Sequence, residues 1–323
     1  METHIYFDTN IYSFVKSCNE LYSMHKMLKA YNCKLTASSG NLFEVYAIPS
    51  PEEARSELKV ITFLADNFEQ KPQSWYHAYE FRNEIRRLRP QWIKPIVFKK
   101  QIRLCLSGHK ELWTTAKCLK LPPSHTYKQY RKDAEQGISN HRYFQKMFRT
   151  KRIHQYSQSS LYTPSGGVLP INTDDPEIFW RIEGLIVWYN AIEMLHPSSR
   201  DYADWLLPYI NKGVFKDPSY DILWLSEIDS RKAPLNRLIG LISFYQLEHK
   251  ISHGNAADQL HAGHWFSSDL FITADVAFYK VLSRVADVHY QDHSKPLLID
   301  RSAGYCVDQV ESLIRSYVGT KYL

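Results

Sequence analysis

The chain has 323 residues, 44% hydrophobic and 23% charged, close to globular averages and enough to bury a sizeable core in one or two domains. No run reaches the ~18 to 20 uninterrupted apolar residues of a membrane span, and the opening METHIYFDTN lacks the regions of a signal peptide. The expected location is therefore the cytosol, with no membrane partner. A net charge of +6 is compatible with a polyanionic partner but does not name one. Cys18, Cys33, Cys105, Cys118 and Cys306 are odd in number and form no C-x-x-C pair, indicating neither a disulfide framework nor a cysteine zinc site.

In chain order, His4 to Phe7 reads as a strand that passes through Asp8, Thr9 and Asn10 into an amphipathic helix holding Tyr12, Phe14 and Val15. Lys34 to Ala37 reads as a second strand, closed by Ser38, Ser39, Gly40 and Asn41 before a helix marked by Leu42, Phe43, Tyr46 and Ala47. Pro51, Glu52 and Glu53 begin a further helix. Helical periodicity then dominates from about Trp75 to about Asp229, with helices expected from Trp75 to Leu88, Tyr127 to Arg149, Pro176 to Leu195 and Asp201 to Ile210, and a loop from Ser157 to Gly167. Leu270 to Thr273 reads as a third strand, running into Ala274 and Asp275, and Val285 to Val288 as a fourth. Strands alternating with helices predict an α/β fold with a parallel sheet and functional residues beyond the carboxyl ends of its strands. The expected organisation is a core in two pieces, 1–74 and 235–323, split by a mainly α-helical insertion over 75–234.

Four carboxylates fall where this arrangement gathers them: Asp8, Glu44, Asp258 and Asp275. Acids held close together repel and stay ionised only beside a cation; Mg²⁺ and Mn²⁺ take such oxygen ligands and assist attack on a phosphate. Each acid also has a plainer role open to it. Asn41 with Glu44, and Asn255 with Asp258, are spaced as capping boxes, while Asp8 and Asp275 stand where Asp commonly closes a turn.

The segments IYFDTNIYSFV, SSGNLFEVYAI and GNAADQLHAGHWFSSDLFITADVAFYKVL resemble the PIN-domain nuclease family, over about 1–70 and about 235–290. The third is the most specific, joining an Asp on a helix to a strand that ends in Thr-x-Asp with a following Phe. The resemblance implies a PIN-like three-layer α/β/α sandwich with a parallel sheet, and metal-dependent cleavage of RNA. Carried over by position, it makes Asp8, Glu44, Asp258 and Asp275 the catalytic and metal-binding acids for Mg²⁺ or Mn²⁺, with Thr9, Asn10 and Thr273 supporting them. Thr273 would orient an acid or a water, although a strand Thr also has a purely structural use. Small members of the family lack an insertion of this size, so substrate and regulation do not carry over. An aspartyl-phosphate phosphohydrolase is disfavoured because D-x-D-x-T is replaced here by Asp8, Thr9, Asn10, Ile11 and Tyr12, and no P-loop or G-x-S-x-G elbow occurs.

His253, His261 and His264 lie around Asp258. No Cys or Glu completes a zinc pattern, which leaves surface or core histidines, or a metal or acid–base role best suited to His261. From Lys117 to Arg152 the insertion carries ten basic residues against two acids. Candidate nucleic-acid contacts are Lys128, Arg131, Lys132, Arg142, Lys146, Arg149, Lys151 and Arg152, interleaved with Tyr127, Tyr130, Tyr143, Phe144, Phe148 and Tyr156. That mixture suits single-stranded nucleic acid; a solvated basic face with core-facing rings is the alternative. Arg82, Arg86 and Arg89 form a second basic stripe, and Trp180, Trp188, Tyr189, Trp205 and Trp224 are expected in the insertion's own core. The expected activity is a cytoplasmic metal-dependent endoribonuclease hydrolysing single-stranded RNA. The alternatives are a catalytically silent scaffold binding RNA or a protein, and a toxin or defence nuclease restrained by an inhibitory protein partner.

Overall fold

The computed structural model describes residues 2–95, 99–122, 132, 135, 136, 139, 142, 143, 146, 160–162, 168–170, 175–192, 200–211, 213–249 and 255–321. The chain begins β1 (Thr3–Phe7), α1 (Thr9–Ser17), α2 (Leu21–Ala30), β2 (Cys33–Ala37), α3 (Ser39–Ala47), α4 (Pro51–Leu64) and β3 (Asn67–Phe68). There follow α5 (Gln73–Leu88), α6 (Lys99–Lys117), β4 (Ser160–Tyr162), β5 (Val168–Pro170), α7 (Pro176–Ile192), α8 (Arg200–Leu206) and α9 (Pro234–Gln246). The last elements are α10 (Asn255–Trp265), β6 (Leu270–Thr273), α11 (Val276–His289), β7 (Leu297–Leu298) and α12 (Cys306–Lys321). Two compact units result: Met1–Gln70, Glu111–Glu135 and Leu260–Leu323 form one, Lys71–Lys110 and Gln136–Gln259 the other.

The first unit is α/β. Its five-stranded sheet has the order β3-β2-β1-β6-β7, and each neighbouring pair is parallel. Alternation along the strands sends Ile5, Phe7, Leu35, Ala37, Leu270 and Ile272 into one core, packed with Ile11, Val15, Leu28, Leu58, Ile61 and Val310 from α1, α2, α4 and α12. Each fully buried side chain of this kind is worth about 1.5 to 3 kcal/mol over exposure. Tyr6 and Phe271 lie on the other face, with ring centroids 5.4 Å apart, and Phe271 meets Phe278 of α11 at 5.8 Å. Because β2 and β6 flank β1 on opposite sides, the crevice beyond the carboxyl end of β1 is a topological switch point.

Two readings of the sequence are corrected. Val285 to Val288 is not a strand: Phe278, Val281, Leu282, Val285 and Ala286 make the buried face of α11 at helical spacing. The outer strands are instead the two-residue β3 and β7. Between Ser157 and Gly167, residues Ser160–Tyr162 are a strand, paired antiparallel with β5.

The second unit is built around α5 and α7 to α9. Phe81, Trp180, Trp188, Trp205 and Trp224 are buried in its core, with Tyr189 partly buried against them. The division between units runs at 70/71, 110/111, 135/136 and 259/260, so α9 falls in this unit. It packs closely there: a Cβ on Gly240 of α9 would lie 2.4 Å from Trp180 Cβ and 2.6 Å from Trp180 Cα on α7. Gly184 makes the same allowance for the Trp224 ring, 2.4 Å from where its Cβ would be. Within the expected helix from Tyr127 to Arg149, the described residues, such as Lys132, Arg142 and Lys146, are helical; the remainder lies outside the described residues. Among the described residues no helix is long and apolar enough to cross a membrane.

Candidate metal centre

Strand ends assemble the site. Asp8 follows β1 at the N-cap position of α1, with extended backbone (φ −61°, ψ 151°), but its side chain makes no capping hydrogen bond. Its Oδ2 accepts instead from Asn10 Nδ2 at 2.6 Å and from Thr273 Oγ1, at the end of β6, at 2.7 Å. Asn10 is itself fixed, its Oδ1 accepting from the Ala274 amide at 2.8 Å. Asp8 Oδ1 is thereby turned toward His261 Nε2, 3.6 Å away.

After β2, Ser38 caps α3 in a reciprocal box with Asn41, so the box is Ser38 with Asn41 and not Asn41 with Glu44. Asn41 Nδ2 also donates to Thr9 Oγ1 at 3.0 Å and to the Phe7 carbonyl at 3.3 Å, tying the ends of β1 and β2 together. Glu44, five residues beyond the start of α3, faces inward with its Oε2 3.0 Å from His261 Nε2. A Cβ on Gly40 would come 3.2 Å from Leu260 Cβ and 3.3 Å from His261 Cε1, so only glycine lets α3 and this stretch of α10 approach without a shift.

His261 is 1% exposed and uses both ring nitrogens. Its Nδ1 is hydrogen-bonded to the Tyr6 hydroxyl at 2.6 Å, and that hydroxyl meets Ser38 Oγ at 2.7 Å. Thr9 Oγ1 lies 3.5 Å from Nε2. Behind this layer His264 stacks on Tyr6, with centroids 4.4 Å apart and planes 9° from parallel, and its Nε2 lies 3.4 Å from Glu69 Oε1. Glu69 Oε2 accepts from the Ser39 amide at 2.8 Å and from its hydroxyl at 2.6 Å, closing the start of α3.

Burial dominates the electrostatics. It pushes the Asp8 carboxyl above the ordinary carboxylate range against the opposing charge of His261, and the negative charge of Glu44 pushes the same way. Glu44 is also penalised by burial, yet the charge and hydrogen bond of His261 bring it below its ordinary value. Its side chain is 32% exposed, so the cluster opens to solvent on that side. Burial raises Glu69 to about 7 and lowers His264 to about 3, so His264 is neutral at pH 7. Tyr6, pushed well above 10 by burial, keeps its proton.

Ligand atoms of Asp8, Glu44 and His261 all lie within 4.8 Å of one another, and among the described residues this is the group able to hold a metal. An ion about 2.0 to 2.2 Å from each donor spaces its ligands by no more than about 4.4 Å, so the set fits after small movements. Thr9, Asn10 and Thr273 lie around it. Asp275 does not join this group: it caps α11, its Oδ1 accepting from the Ala277 and Phe278 amides at 2.7 and 2.9 Å, and it touches the site through its own amide, which donates to Thr273 Oγ1 at 3.0 Å. Asp258 belongs to the second unit, where its Oδ2 accepts from Gln246 Nε2 at 3.1 Å.

Among the basic candidates, Lys132 and Lys146 are exposed and Arg142 is partly buried. Lys128, Arg131, Arg149, Lys151, Arg152 and also His253 lie outside the described residues. Tyr6, Ser38, Asn41 and Glu69 were not singled out for the site by sequence. Tyr6 had a signal: alternation places it opposite Ile5 and Phe7, a hydroxyl on the second face of the sheet. No family model, no curated protein and no solved structure matches this chain.

Proposed function

We propose that the chain is a metal-dependent nuclease that hydrolyses single-stranded RNA, built on a PIN-like three-layer α/β/α unit with Asp8, Glu44 and His261 as its metal ligands. One observation carries this reading. Asp8 stands at an N-cap and forgoes the cap, converging instead with Glu44 on one imidazole at the switch point of a parallel sheet. Asp8 is buried and Glu44 partly so, and two acids side by side are unfavourable unless a cation offsets their repulsion. Two carboxylates suit Mg²⁺ or Mn²⁺, and the imidazole tilts the preference toward Mn²⁺. Bound there, a divalent ion supplies a Lewis acid for a phosphodiester oxygen and lowers the pKa of water.

The chain's own groups set the geometry. Asn10 and Thr273 hold Asp8 by Oδ2, which presents Oδ1. Tyr6 and Ser38 fix the His261 ring from behind, leaving Nε2 toward the acids. Asp275 anchors Thr273 at one remove from Asp8, while Asp258 enters the proposal by resemblance alone. The basic stretch from Lys117 to Arg152 supplies cations for the strand.

The test is cleavage of a mixed single-stranded RNA and its matching DNA by wild type and Asp8→Asn, each with Mn²⁺, Mg²⁺ or EDTA. Cutting that needs metal and is lost in Asp8→Asn is expected, with RNA the better substrate. RNA binding without metal-dependent cutting would replace this reading with that of a scaffold.

A further inference from the structure

The expected stripe of Arg82, Arg86 and Arg89 on α5 is not uniform. Arg89 is engaged inside the second unit, with a 2.8 Å ion pair to Glu227 and a 3.1 Å hydrogen bond to Ser219. Arg86 is exposed and donates to Asn83 at 3.2 Å. Arg82 is 9% exposed, its guanidinium 5.0 Å from the Tyr79 ring centroid and 4.0 Å from that of Tyr209. Among the described residues its buried Nε has no hydrogen-bond partner, and no carboxylate pairs with it. One turn further back, Tyr79 stacks on Trp75, centroids 5.1 Å apart and planes 13° from parallel, and Lys71 Nζ lies 3.8 Å over the Trp75 ring. Tyr76 and Tyr79 are 40% and 43% exposed.

We propose that this face of α5 binds single-stranded nucleic acid, with bases stacking on Trp75 and Tyr79 and phosphates taken by Lys71, Arg82 and Arg86. Lys71, just before α5, and Trp75, Tyr79, Arg82 and Arg86 on it follow at steps of four, four, three and four residues, two rings flanked by cations, and rings beside cations are what a single strand requires. A guanidinium largely withdrawn from water is costly without an anion, and flanking rings compensate only in part. A phosphate fits its planar donor fork. The contact of Lys71 with Trp75 is worth less than a stacked base, so a base displaces the ammonium and frees it for the backbone. A duplex keeps its base faces stacked inside and cannot use the rings; an acidic peptide would use the cations alone. The proposal goes beyond the nuclease reading, because binding here requires neither metal nor cleavage.

The experiment is anisotropy of a labelled oligouridine of about 12 nucleotides with the full chain carrying Asp8→Asn, in EDTA, so that no strand is cut. Trp75→Ala and Tyr79→Ala are each expected to weaken binding about 10-fold, with Tyr79→Phe close to the parent. Arg82→Gln is expected to lower the salt-dependence slope by about 1. An abasic strand of equal length is expected to bind more weakly and to ignore Trp75→Ala. Should Trp75→Ala not fold, the exposed Tyr79→Ala decides alone. Unchanged affinity in Tyr79→Ala, or abasic strand or polyglutamate binding as tightly as oligouridine, would overturn the proposal.

Discussion

Both units bury ionisable side chains, yet they satisfy them in different ways. In the helical unit Glu80 accepts from the Leu235 and Asn236 amides at 3.0 and 3.1 Å and from Asn236 Nδ2 at 2.8 Å, so it closes the start of α9. Glu84 accepts from the Asp229 amide at 3.0 Å and from two nitrogens of Arg87. In the α/β unit Asp8 and Glu44 face each other across an imidazole. Acids that meet amides finish a fold; acids that meet each other repel, and that repulsion is what the proposed cation would offset. Asp275 makes the point within the α/β unit, for it too is an Asp after a strand and it caps its helix in the ordinary way.

The contrast can be probed in each unit. Gly240→Ala drives a methyl into Trp180 and is expected to destabilise the helical unit by about 3 kcal/mol, seen as a lower urea midpoint. A variant as stable as wild type would contradict the close approach of α7 and α9. The buried His77 is next. Burial lowers its pKa from 6.5 to about 4, against a hydrogen bond with the Asn236 side chain that raises it, and the neutral ring accepts from Gln73 Nε2 at 3.2 Å. Between pH 6.5 and 4 the unfolded chain binds more protons at this site, so its stability contribution is lost as pH falls through that window. The unfolding free-energy difference between wild type and His77→Gln should therefore change by about 2 to 3 kcal/mol from pH 7 to pH 4. No pH dependence in that difference would mean the ring is solvated.

Tyr6→Phe has the smallest effect on folding, about 1 kcal/mol, because the ring still packs on His264 and Phe271. It removes the hydroxyl that holds His261 Nδ1, and calorimetric Mn²⁺ affinity is expected to fall about 10-fold. Unchanged affinity would remove Tyr6 from the proposed metal site.

The elements legible in sequence are those with local signals. β1, β2 and β6 are short apolar runs ending in polar turns, and Pro51 with Glu52 and Glu53 marks the start of α4 after the Ser50 cap. Val285 to Val288 misleads because β-branched residues suit strands, while helical spacing from Phe278 onward decides the matter. β3 and β7 have two residues each, too few to show a period. Asp8 and Glu44 stand out beside local turn and cap signals, and His261 is the histidine best suited to a metal or acid–base role, but nothing local shows which groups meet it. Its partner Tyr6 is 255 positions away, and only the folded sheet brings them together. Asp275 looks like Asp8 in sequence; the difference is whether the side chain turns back to its own helix, a choice set by Thr273 and Asn10 across the sheet.

In the proposed centre His261 ligates a divalent ion together with Asp8 and Glu44. Pulsed electron paramagnetic resonance of Mn²⁺ bound to wild type and to His261→Gln tests it directly. The expected result is a nitrogen coupling in wild type that vanishes in His261→Gln, with weaker Mn²⁺ binding. Bound Mn²⁺ without any nitrogen coupling, or a coupling that survives the substitution, would contradict the claim.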